Sequence, residues 1–140
     1  MMTEAEYKIL DEYMRTIADR LMLRDWTIIV KRDACGENSA GDMWGLKGRK
    51  VAYIRVADDF RTTSEAEQRH TVVHELLHCH FESAWHVIEH DLKSTGALGG
   101  PLHMMCYESF KRQMEFGVDG VADALDPYMP PIVWEVPTDG

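Results

Sequence analysis

Residues 70–81 read HTVVHELLHCHF, four histidines and one glutamate in twelve positions. Just upstream, Ser64 and Glu67 have the spacing of a capping box, and Glu65 and Glu67 lie where a helix dipole favours acid. The stretch predicts a helix from about residue 65 to the middle 80s. Val72, Val73, Leu76 and Leu77 give it an apolar side to bury. Residues four apart on a helix differ by roughly 40° of arc and about 6 Å of rise. The imidazoles of His74 and His78 therefore reach one point beside the helix, with Glu75 between them.

Working outward, Thr3 and Glu6 form a second capping-box pattern, and Tyr7, Leu10, Met14, Ile17 and Leu21 recur at helical spacing. This predicts an amphipathic helix over about 4–22. Trp26, Ile28 and Val30 alternate with Thr27, Ile29 and Lys31, a strand pattern. Residues 33–50 hold four glycines and suit loops and a hairpin, with a short strand near Met43 and Trp44. Residues 51–57 make a clear strand, Val51, Tyr53 and Arg55 on one face and Ala52, Ile54 and Val56 on the other. The chain breaks around KSTGALGGP, residues 93–101. A further helix opens at Gly100-Pro101 and ends at Asp126-Pro127. Its expected apolar stripe is Leu102, Met105, Cys106, Phe110, Met114, Val118, Val121 and Leu125. The four-proline tail from 127 to 140 is extended, with Ile132, Val133 and Trp134 packed on a single domain of residues 1–126. One block of strands among helices gives an α+β fold with a small, mostly antiparallel sheet.

Two imidazoles at this spacing can ligate Zn²⁺, and the glutamate can take a proton from water on the ion. A catalytic zinc needs a third protein ligand. A third histidine six residues after His78 is excluded, since Ala84 stands there and Phe81 replaces the glycine that such a motif carries between. The alternative is a glutamate on the last helix. Glu108 and Glu115 are seven apart and share a face. Glu115 is followed by Asp119 one turn on, a pair that supplies a ligand and an acid able to accept the free ring N–H of a ligating histidine. Glu108 is followed by Arg112, the spacing of a surface ion pair, and is the fallback ligand. Gly117 and Gly120, costly in a helix, suggest that its backbone approaches a neighbour closely. His70 is one turn before His74 and could line the cleft. His80, His86 and His90 scatter around the helix and read as solvated, and Cys79 as a packing residue.

The net charge of −9 and a pI near 5.1 argue against a nucleic-acid surface. No apolar run is long enough for a membrane span, and residues 1–13 lack the features of a signal peptide. Three widely spaced cysteines, Cys35, Cys79 and Cys106, suit a reducing compartment. A cytoplasmic protein is expected, in the host cytoplasm if the chain is viral.

His74, Glu75, His78 and the downstream Glu115-Phe116-Gly117-Val118-Asp119 resemble the gluzincin branch of the zinc metallopeptidases. The layout over residues 3–126 is similar to the minimal, single-domain members found in bacteria and phages. The resemblance implies a zincin-like fold and one zinc per chain on His74, His78 and Glu115. It implies Glu75 as general base, Asp119 supporting a ligand, and a peptide or protein substrate lying along strand 51–57 as a sheet edge. Larger relatives stabilise the tetrahedral intermediate with a tyrosine or histidine, for which Tyr107 and His103 are the candidates here. The competing expectation is a zinc-holding module that docks to a partner protein without cleaving it. Oligomeric state is not legible.

Overall fold

The structure, a computed structural model, describes residues 1–91, 94 and 100–135. Helix α1, Glu4–Arg20, starts at the expected capping box: the Glu6 N–H donates to Thr3 Oγ1 at 3.2 Å and the Thr3 N–H to Glu6 at 2.8 Å. Its buried face carries Tyr7, Leu10, Met14 and Ile17. Strands β1, Thr27–Val30, β2, Gly41–Gly45, and β3, Val51–Val56, form one sheet in the order β1-β3-β2. Ala52, Ile54 and Val56 of β3 point into the core, as their alternation required.

The pairing corrects two expectations. β3 is parallel to β1 and antiparallel to β2, so the sheet is mixed rather than mostly antiparallel. Strand 51–56 is also the centre of the sheet and not an edge; its backbone is bonded on both sides, and no peptide can add to it. Periodicity reports which face of a strand is buried but not which strands flank it. The free edges are β1 and β2.

Helix α2, Glu65–Leu77, also begins at its capping box. It does not run unbroken to the middle 80s. His78–Phe81 winds into a 3₁₀ turn, α3 spans only Glu82–His86, and Val87–Asp91 is π-helical. The tighter turn places Cys79 in the core and sets the His80 ring 2.7 Å from the Leu21 carbonyl. Helix α4, Gly100–Leu125, begins and ends where expected; most of the break before it lies outside the described residues.

The apolar stripe of α4 is buried in its C-terminal half alone. Val118 and Ala122 are fully buried, and Met114 and Leu125 pack on the core. Leu102 and Met105 are exposed in the first turns, and Val121, among the later turns, is exposed because it lies off the face that Val118 and Ala122 bury. After a 3₁₀ turn at Asp126–Tyr128 the tail packs back on the body. The Tyr13 hydroxyl donates to the Pro130 carbonyl at 2.8 Å, Ile132 is buried, and the Trp134 indole N–H donates to Gln68 Oε1 at 3.0 Å. Val133 faces solvent, and residues 136–140 lie outside the described chain. No described helix is long and apolar enough to cross a membrane.

Candidate metal centre

The crossing of α4 on α2 brings Glu115 to His74 and His78. His74 Nε2 is 3.1 Å from Glu115 Oε2, His78 Nε2 is 3.2 Å from Glu115 Oε1, and the two Nε2 atoms are 3.2 Å apart. The reason is packing: Val118 and Ala122 are pressed into the core, and Glu115 and Asp119, three residues before each, share that side of the helix. Gly117 and Gly120 have no part in it. A Cβ on either would meet nothing within 4 Å, so the close approach expected of them is not there. Glu108 is exposed, two turns up the helix, and joins no donor cluster among the described residues.

The donor set suits zinc. Ligands at zinc bond lengths of roughly 2.0–2.1 Å stand about 3.3 Å apart at tetrahedral corners. Here the two ring nitrogens are 3.2 Å apart and each stands 3.1–3.2 Å from a different oxygen of Glu115, so an ion between the rings would meet both imidazoles and the carboxylate. Asp119 Oδ1 lies 2.7 Å from His74 Nδ1. A carboxylate that close favours a proton on Nδ1, which leaves the Nε2 lone pair facing His78 and Glu115.

Electrostatics reflect the crowding. Hydrogen bonds from His74 and His78 hold the Glu115 carboxyl far below the usual carboxylate range. For His74, burial is the largest single influence and lowers its pKa. The bond to Glu115 and the charges of Glu75, Glu115 and Asp119 together outweigh it, and the net shift is upward. Glu75 is buried and its carboxyl is pushed up to about 7 by desolvation, against the pull of His78 and His74. A carboxyl titrating there can both take and return a proton near neutral pH.

These side chains open on a cavity of about 600 Å³, walled on one side by Gly41, Asp42 and Met43 of β2. Tyr107 and His103, the expected stabilisers of a developing oxyanion, do not line it. His103 is buried with Nε2 3.0 Å from the Ile88 carbonyl, and Tyr107 packs on Trp85. Their helix does reach the cavity, but one turn later, at Lys111. The sequence reading missed Lys111, although its spacing of four before Glu115 placed it on the right face. His70 lines the cavity too, its Nδ1 held 2.9 Å from Asp126 Oδ2.

Among the described residues, the outer edge of β2 has one position with both backbone groups open. Leu46 N–H and Ala40 C=O bond toward β3, so Gly41, Met43 and Gly45 turn their polar groups to the free edge. The Gly45 N–H is taken by Glu82 Oε1 at 3.2 Å, and the Gly41 carbonyl by the Ser39 hydroxyl at 2.7 Å. Met43, beside the cavity, has neither group taken among the described residues.

Comparison of the chain with protein-family models, curated proteins and solved structures finds no match.

Proposed function

We propose that the protein is a zinc-dependent metallopeptidase with a zincin-like fold of the gluzincin type, binding one zinc in this centre through His74, His78 and Glu115. The observation that carries the reading is the convergence of two imidazoles and a carboxylate, each ring nitrogen within 3.1–3.2 Å of the other and of a Glu115 oxygen, with a buried glutamate of raised pKa beside them. Bound there, zinc would supply Lewis acidity, activating water and polarising a carbonyl. Glu75 accepts the proton of the attacking water and passes it to the leaving amide nitrogen. Asp119 holds His74 in its ligating tautomer through Nδ1. An extended peptide lies along β2 rather than β3, pairing with the Met43 N–H and C=O. Lys111 and His70 are the cavity groups available to a carbonyl or carboxylate of that peptide.

The test is Glu75→Gln against wild type on a mixture of proteome-derived peptides, with cleavage mapped by mass spectrometry. Wild type should cleave. The variant should hold as much zinc and melt at the same temperature, yet lose at least about 100-fold in rate, the scale of a general base. A variant as active as wild type contradicts the mechanism. A wild type that holds zinc but cleaves nothing favours the docking module.

A further inference from the structure

Beyond α2, Glu82, His86 and His90 follow one another at intervals of four, and Glu89 precedes the last. The chain here passes from α3 into the π-helical turn Val87–Asp91, a local geometry that recurs at functional sites. One ring nitrogen each from His86 and His90 and a carboxylate oxygen of Glu89 lie within 4.8 Å of one another. The two rings stack with centroids 5.2 Å apart, and Glu89 Oε2 is 3.6 Å from His90 Nε2.

His86 is not the solvated residue its position suggested. Its side chain is only 12% exposed, and both ring nitrogens are shielded from solvent with no hydrogen-bond partner among the described residues. Glu82 Oε1 lies 3.0 Å from Nε2 but out of line for a hydrogen bond, and it already accepts the Gly45 N–H. Buried polar atoms in folded proteins are nearly always satisfied, and an ion is one of the few things that can satisfy an imidazole lone pair. His90 and Glu89 are less enclosed, their side chains 48% and 36% exposed, so other rotamers are open to them.

We propose that His86, His90 and Glu89 form a second metal site, for a divalent transition ion of the Zn²⁺, Ni²⁺ or Cu²⁺ class. Two imidazoles favour such ions over Ca²⁺ or Mg²⁺, which take oxygen donors. The site shares no ligand with His74, His78 and Glu115, so it stands whether or not the protein is a peptidase. Its ion would fasten the π-helical turn next to Glu82 and Trp85, which form part of the cavity wall.

The test is calorimetric titration of the metal-free full chain with Zn²⁺, for wild type, His90→Ala and His86→Gln. Wild type should take up two equivalents. Either variant should keep the first and weaken the second by about tenfold or more, since losing a ligand costs at least as much as losing a residue that merely supports one. In wild type, the second equivalent should shift the NMR imidazole signals of His86 and His90, a readout that needs no variant. Uptake of a single equivalent that leaves the His86 and His90 signals unmoved overturns the proposal. So does a second equivalent that leaves those two signals unmoved or survives both substitutions.

Discussion

At the scale of single residues, the centre raises the proton affinity of Glu75 and His74 and lowers that of Glu115. Glu75 binds its proton more tightly in the folded chain, about 7 against an ordinary 4.5, and the His74 pKa is also raised from 6.5. Each contributes stability that is complete below the unfolded value and lost as pH rises through the folded one. For Glu75 that loss falls between 4.5 and about 7 and is on the order of 3 kcal/mol; for His74 it begins above 6.5. Glu115, with its depressed pKa, acts oppositely, and its share is lost only as pH falls below 4.5. Metal-free protein should therefore have a lower urea midpoint at pH 8 than at pH 5. Zinc should restore it mainly at pH 8, where the ligands are deprotonated. An unchanged or rising midpoint in EDTA would show that these groups are not where the geometry puts them. At this scale much was legible in the sequence, because His74 with His78 and Glu115 with Asp119 are spacings within one helix. Glu115 over Glu108 was not decided there, since it depends on where one helix crosses another. The close approach expected of Gly117 and Gly120 is absent, so they gave no sound reason for preferring Glu115.

At the scale of elements, the edge strand and the helix of the centre are locked together at a glycine. A Cβ on Gly41 would stand 3.1 Å from the Arg55 carbonyl oxygen, from Glu75 Cγ and from Thr71 Cγ2. Each of these neighbours would have to give by a few tenths of an ångström and a valine adds two further methyls, so Gly41→Val should push β2 away from β3 and from Glu75 and Thr71 of α2. The expected cost is about 1–3 kcal/mol by denaturant titration, the range for overpacking. Turnover should fall further than zinc content, because Glu75 moves while the ligands stay. Stability equal to wild type would mean that β2 is not seated against Glu75. The elements themselves were largely legible: both capping boxes form, and α1, α4 and all three strands lie within a few residues of expectation. Strand order was not, because pairing joins residues distant in sequence. Neither was the 3₁₀ turn at His78–Phe81, which answers to Leu21 and the core rather than to local propensity.

At the scale of the whole molecule, the tail ties the first helix to the helix of the centre. Gln68 donates to the Phe60, Arg61 and Thr63 carbonyls and accepts from Trp134, which packs edge-on against Phe60. This network holds the start of α2, two turns before His74. Trp134→Ala should cost about 2–4 kcal/mol through lost burial and an unpaired Gln68 oxygen, measured by chemical denaturation. A loss below 0.5 kcal/mol, the usual range for exposed sites, would mean the tail is only loosely placed. The packing of the tail was legible from Ile132 and Trp134, but its partners were not. The central claim is the three-residue metal centre, and zinc content by elemental mass spectrometry tests it most directly. With His90→Ala in every chain, so that the second site takes no ion, the wild-type centre, His74→Ala, Glu115→Ala and Glu108→Ala would each be equilibrated with one equivalent of zinc and then dialysed. The wild-type centre and Glu108→Ala should retain one zinc per chain, and His74→Ala and Glu115→Ala should lose it. Zinc absent from the wild-type centre, or retained in full by Glu115→Ala, would contradict the account.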